Sequence, residues 1–84
     1  MELEEFLVKL FESNEFMEEA NKFMPKDGKD INADMALAAK EYGIECTADE
    51  VKEAFDKVSK DQGIIKTMKF YPRMIKANAK AHQY

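Results

Sequence analysis

Acidic residues stop at Asp61, and the chain of 84 residues holds one cysteine, one histidine, two prolines and three glycines. Each scarcity removes a class of protein. The single Cys46 has no partner for an internal disulfide, which excludes a disulfide scaffold and agrees with a reducing compartment. One histidine, His82, far from that cysteine, does not make a metal cluster or supply a nucleophile with its activating base. No enzyme, metal or cofactor is therefore expected, and the abundant Glu side chains read as solvated helix faces rather than as a paired acid and base. So few glycines and prolines argue against a turn-rich β protein and against a disordered chain. No apolar run approaches the roughly 20 residues of a membrane span. The opening Met1-Glu2-Leu3-Glu4-Glu5 is acidic where a secretory signal would be basic, so a cytoplasmic protein is expected.

What is present suits a small helical domain: 45 % of residues are apolar and 36 % charged. A chain this short buries only about 60 % of its unfolded surface, so its stability is expected to be small and helped by partners. The charge is unevenly placed. Residues 1–62 carry all 17 acidic residues and eight lysines, a net charge of −9, whereas residues 63–84 carry Lys66, Lys69, Arg73, Lys76 and Lys80 and no acid, a net charge of +5. The asymmetry suggests an acidic body, 1–62, and a basic tail, 63–84.

The best-defined local signal is Ala38-Ala39-Lys40-Glu41-Tyr42-Gly43-Ile44-Glu45-Cys46-Thr47-Ala48-Asp49-Glu50-Val51. Gly43 stands where a helix C-terminus needs positive φ, with Ile44 placed for the apolar contact that accompanies such caps. Thr47-Ala48-Asp49-Glu50 has the form of a capping box that opens the next helix. Upstream, Leu3, Phe6, Leu7, Leu10 and Phe11 trace one face of an amphipathic helix, and Ser13-Asn14 offers a cap for a second that buries Phe16, Ala20, Phe23 and Met24 and stops at Pro25. Pro25–Asp30 reads as a loop with its sharp curvature at Gly28. Asp30 or Asn32 caps a third helix with Ile31, Met35, Ala38, Ala39 and Tyr42 on its inner side. A fourth carries Val51, Phe55 and Val58 and frays near Asp61-Gln62-Gly63.

The tail repeats cations at Lys66, Lys69, Arg73, Lys76 and Lys80, with Ile65, Met68, Ile75 and Ala79 as a parallel apolar line, the pattern of a basic amphipathic helix interrupted by Pro72. Two short helices meeting at Tyr71-Pro72, or a segment unstructured until bound, are both compatible with it. The expected fold is all-α, a bundle of three to four short helices with a tail that is a further helix or disordered. Basic residues with Phe70 and Tyr71 among them could bind a polyanion, but the −9 body repels one, so no nucleic-acid partner is expected. Cys46 lies just before a helix N-terminus, where a thiolate is favoured, or is a half-buried packing residue. Tyr42 and Phe55 offer a docking patch or belong to the core, and Met17, Met24, Met35, Met68 and Met74 make an adaptable surface or fill gaps.

Leu3-Glu4-Glu5-Phe6-Leu7-Val8-Lys9-Leu10, the Glu-rich second helix, and above all Ala36–Glu45 followed by Thr47–Val51 resemble the Nif-eleven-like leader peptides, over roughly residues 2–58. That family comprises the helical leaders of precursors of ribosomally made, post-translationally modified peptides. The resemblance implies a recognition handle gripped by a peptide-modifying enzyme, with Leu37, Tyr42, Gly43, Ile44 and Val51 as its partner-binding residues, and a substrate tail after Gln62-Gly63. Tethering through such a handle raises the effective concentration of the tail at the active site. Thr67 is the tail's one hydroxyl residue of the Ser/Thr kind and no Cys is present, which nearly excludes lanthionine and azole products. Lys66, Lys69, Tyr71, Arg73, Lys76, Lys80, His82 and Tyr84 remain as candidate modified residues. The alternative is a stand-alone acidic helical module, an adaptor or inhibitor, with the tail as an integral helix.

Overall fold

Three helix starts fall where a side chain can accept from backbone N–H groups that have no helical partner. Ser13 Oγ accepts from Phe16 N at 3.0 Å, Asp30 Oδ1 accepts from Asn32 N and Ala33 N at 3.1 and 3.2 Å, and Thr47 Oγ1 accepts from Glu50 N while Thr47 N donates to Glu50 Oε1. The computed structural model describes residues 1–83, and the helices are α1 (Leu3–Glu12), α2 (Asn14–Asn21), α3 (Ile31–Glu41), α4 (Ala48–Gln62) and α5 (Ile64–Ala81). Among the described residues the fold is all-α with five helices, four before Gly63 and the tail as a further helix, where three to four with a tail that is a further helix or disordered were expected. No helix of the described residues is long and apolar enough to cross a membrane.

The α3–α4 turn forms as its residues dictate. Gly43 has φ +82°, Ile44 N donates to Ala39 O and Gly43 N to Lys40 O, both at 3.0 Å, and Ile44 is buried. These are the paired bonds of a Schellman cap, which satisfy carbonyls that α3 leaves open. Two expectations need correction upstream. α2 ends at Asn21 rather than running to Pro25, because Lys22, Phe23 and Met24 donate to carbonyls three residues back in a tightened turn. Phe23 is thereby turned outward and exposed, while Met17, Ala20 and Met24 enter the core. In the loop, positive φ falls on Asp27 rather than Gly28. Gly28 instead lies close under the Asp34 carboxylate, which a Cβ there would push aside.

α1 packs between α2 and α4, α3 packs on α4, and α5 lies along α2 and across α4 and α1. Two aromatic groups form, one in the interior and one reaching from Phe6 in the core to Phe23 at the surface. Phe11, Phe55 and Phe70 lie with ring centroids 4.6–5.5 Å apart, and Tyr42 gathers Phe6, Phe16 and Phe23 within 5.1–6.2 Å. The radius of gyration is 11.6 Å, against about 11.8 Å for a folded domain of this length. That leaves no room for a detached C-terminal helix.

The tail is neither broken at Pro72 nor loose: α5 runs unbroken for 18 residues. Proline removes one helical N–H, whose partner would have been the Met68 carbonyl. Both residues sit on the exposed side of α5, where water can take that carbonyl and the ring meets no neighbouring helix.

Candidate docking surface

Every third or fourth residue from Phe70 onward faces inward. Phe70, Met74 and Ala77 are buried in the common core, and the polar residues beside them latch α5 to α1 and α2. The Arg73 guanidinium donates from Nη2 to Leu10 O and from Nη1 to Phe11 O, each at 3.0 Å, and from Nε to Asn14 Oδ1 at 2.8 Å. It thus closes the carbonyl end of α1, where a cation is favoured. Asn21 is wholly buried, and its Nδ2 donates to Met17 O and to Met74 Sδ while its Oδ1 accepts from Asn78 Nδ2. Asn78 also donates to Pro25 O. His82 Nε2 lies 2.8 Å from Met24 O and 3.2 Å from Asn21 O. Two carbonyl neighbours fix that nitrogen as the protonated one, and the ring closes the end of α2.

The opposite side of α5 is apolar and unused. Ile64, Ile65, Met68 and Ile75 are 66–77 % exposed, with Pro72 and Ala79 exposed between and beyond them. Ile65, Met68, Pro72, Ile75 and Ala79 follow one another at intervals of 3, 4, 3 and 4 residues. The apolar line legible in the sequence therefore exists, but it faces out, and a second stripe buries the helix. Lys66, Lys69 and Lys76 border it on one flank and make no ion pair among the described residues. Lys66 reaches only Gln62 Oε1, at 3.4 Å. Lys80 differs, since Nζ lies 2.8 Å from Glu18, which holds the ammonium above its ordinary pKa by a hydrogen bond and by its charge.

The residues expected to bind a partner do not share a surface. Leu37 is 53 % exposed and Gly43 is exposed, Tyr42 is half-buried in its aromatic cluster, and Ile44 and Val51 are core. Ile44 is the apolar residue of the helix cap and Val51 lies on the inner face of α4, so neither is reachable without opening the bundle. Leu37 lines a shallow groove with Cys46, Ala33, Ala36 and Lys40. Cys46 is half-buried, and burial with the nearby Glu50 carboxylate pushes its thiol up, which favours packing over thiolate chemistry. Phe55 belongs to the core, as do all the methionines singled out except Met68.

Of the candidate modified residues, Lys66, Lys69, Tyr71 and Lys76 are exposed, Lys80 is exposed but paired with Glu18, and Arg73 and His82 are half-buried in the latch. Tyr84 lies outside the described residues. A cleft of about 560 Å³ opens between the C-terminal end of α5, the start of α3 and the loop before it, lined by Met24, Ile31, Asp34, Met74, Ile75 and His82 among others. Burial and the neighbouring Asp30 charge raise the Asp34 carboxyl. Among the described residues no group of three His, Cys, Asp or Glu side chains is placed to hold a metal ion.

Sequence reasoning singled out Arg73 and His82 as candidate modified residues but missed their part, with Asn21 and Asn78, in the latch. For the three on α5 the signal was the spacing Phe70, Arg73, Met74, Ala77, Asn78, Ala81, His82, a second helical stripe that is less apolar than the first. Comparison with protein-family models, curated proteins and solved structures finds no match.

Proposed function

We propose that the chain is a cytoplasmic helical interaction module without chemistry of its own, in which α5 is part of the fold and its outer face engages a protein partner. The observation that carries this reading is the division of α5. One side is buried and latched, while the other keeps four large apolar side chains in water beside three lysines that have no ion pair among the described residues. A small domain gains nothing in stability from such a surface, and contiguous exposed apolar residues with a polar border are a mark of interaction sites. Amide exchange tests the integral role of α5: protection over Ile64–Ala79 equal to that of α1 is expected, and fast exchange there overturns it.

A second reading keeps the resemblance to leader peptides, with a peptide-modifying enzyme as partner and residues 63–84 as substrate. It is favoured by the exposure of Lys66, Lys69, Tyr71 and Lys76, which an enzyme could reach without unfolding α5. Modification at Arg73 or His82 would first require release of the latch. Mass spectrometry of the chain co-expressed with its neighbouring genes separates the two readings. A mass change confined to residues 63–84 supports the precursor, and an unmodified chain supports the module.

A further inference from the structure

We infer that the outer face of α5 receives an acidic amphipathic helix from a partner protein, with that helix's apolar side on Ile65, Met68, Pro72 and Ile75 and its carboxylates against Lys69 and Lys76. The inference rests on the reading of this face as the working surface, and adds the chemistry of what docks there.

Spacing gives the shape of the partner. Apolar positions alternating by 3 and 4 residues form the seam of two helices packed side by side. From Ile65 to Ala79 the seam is about 21 Å long at 1.5 Å per residue, enough for about four turns of a second helix. In that packing the residues following Met68 and Ile75, which are Lys69 and Lys76, stand at the edge of the seam, where charged side chains of paired helices meet.

Charge gives its sign. α5 carries no acidic residue, and Lys66, Lys69 and Lys76 have no carboxylate partner among the described residues. A second copy laid antiparallel would set Lys69 and Lys76 against the same lysines of its partner, and one laid parallel would set them against Tyr71 and Asn78, so in neither arrangement does a copy bring a carboxylate to that edge. An anionic bilayer is the other polyanion to weigh. A helix lying in a membrane surface sends lysines up from both flanks of its apolar face. On α5 itself the cations stand on one flank only and the other holds Tyr71 and Asn78, with Lys26 of the loop before α3 lining the cleft on that side beside Ile75 and Ala79. The chain's net charge of −4 is met in full by an anionic plane and less by one helix seated at Lys69 and Lys76, while Glu12 and Glu18 near the cationic flank weigh against either anion. A helix with one acidic edge fits this layout, and a charged plane does not.

The test uses the full chain with four probes: a three-heptad peptide with Leu at the seam and Glu at its edges, the same peptide with Lys in place of Glu, and vesicles of phosphatidylcholine with and without phosphatidylglycerol. Two variants change only exposed side chains, Met68→Ser/Ile75→Ser and Lys69→Glu/Lys76→Glu, and far-UV circular dichroism checks that each is folded. The acidic peptide is expected to bind the wild type and to bind each variant at least about tenfold more weakly, while Lys69→Glu/Lys76→Glu gains affinity for the Lys peptide. Equal binding of both peptides, binding to anionic vesicles with none to the acidic peptide, or a dimer that disperses in Met68→Ser/Ile75→Ser each overturns the inference. Binding that Met68→Ser/Ile75→Ser abolishes and Lys69→Glu/Lys76→Glu leaves intact overturns the acidic partner and keeps the docking face. Insensitivity to both variants overturns both.

Discussion

Replacing Phe70 by alanine asks whether α5 holds the molecule together or merely rests on it. Phe70 is fully buried, with Phe11 at 4.6 Å and Phe55 at 4.9 Å between ring centroids. Truncating such a side chain costs about 3–5 kcal/mol through lost burial and the cavity left behind, and each aromatic pair adds about 0.5–1.5 kcal/mol beyond its area. A domain of this size is stable by roughly 4–13 kcal/mol, so the change removes a large share of the total. Because a shift of 1 kcal/mol moves the melting midpoint of a small domain by about 4–8 °C, Phe70→Ala should lower it by on the order of 15–30 °C. The control lies on the same helix: Ile75, 70 % exposed, stands at the rim of the cleft and outside the core, and Ile75→Ala should stay within about 0.5 kcal/mol of the parent. Thermal melts followed by far-UV circular dichroism decide the matter. A single transition moved far down for Phe70→Ala and unmoved for Ile75→Ala is expected. A Phe70→Ala melt unchanged from the parent would refute the placement of α5 in the core.

Arg73→Lys keeps the charge but cannot span Leu10 O, Phe11 O and Asn14 at once, so a loss of about 1–3 kcal/mol in urea unfolding is expected, and an unshifted midpoint would contradict the latch. Gly43→Ala should cost about 1 kcal/mol although a Cβ there meets nothing within 4 Å, because the cost is all in the positive φ. Thr47→Ala should cost about as much through the lost cap, and parent-like stability in both would show that the turn is not set by these residues. Asp34 is raised above its ordinary value of 3.8 by burial and then by Asp30. The folded chain therefore keeps a proton that the unfolded chain has released, and stability attributable to Asp34 falls as pH rises from about 3.8 through the raised value. Unfolding at stepped pH should show that decline in the parent relative to Asp34→Asn, and parallel curves would refute it. High salt should leave α5 docked, since its one ion pair among the described residues, Lys80–Glu18, is solvent-exposed and readily screened, and amide exchange in concentrated salt that matches low salt is the expected result.

The local devices were legible because each is written in a few adjacent residues. Gly43 with Ile44, and Thr47 with Glu50, define their turn and cap wherever they occur, and the inner faces of α1 and α4 were carried by the largest apolar side chains on those helices. α5 was not legible for a physical reason. It has two stripes at helical spacing, Ile65–Met68–Pro72–Ile75–Ala79 and Phe70–Arg73–Met74–Ala77–Asn78, and periodicity reports that a helix has faces without saying which one is covered. Hydrophobicity favours the first, which lies in water. The second is covered because its polar members meet partners that only the fold supplies: the carbonyls at the end of α1 for Arg73 and the buried Asn21 for Asn78. Pro72 misled in the same way, since it stops a helix that must bury that side and is tolerated on one that leaves it open. The expected partner residues Ile44 and Val51 were drawn from a sequence turn whose apolar members the fold spends on its own interior.

The change of charge at Gly63 gains a different meaning from the same geometry. A helix laid along acidic α2 and across the end of α1 is best supplied with cations on the side that meets them, and two of the five serve that purpose: Arg73 at the carbonyl end of α1 and Lys80 against Glu18. Folding therefore explains part of the basic character of α5 and leaves Lys66, Lys69 and Lys76 over. It likewise explains Phe70, Met74 and Ala77, and leaves Ile64, Ile65, Met68 and Ile75 over. The two surpluses are of different chemistry and arise at different positions, yet they lie side by side on one face of one helix. Stability alone would have been served by polar residues along the outer stripe and by a glutamate or two among the lysines. That a cationic edge and an apolar seam coincide where the fold requires neither is the physical ground for assigning that face to a partner.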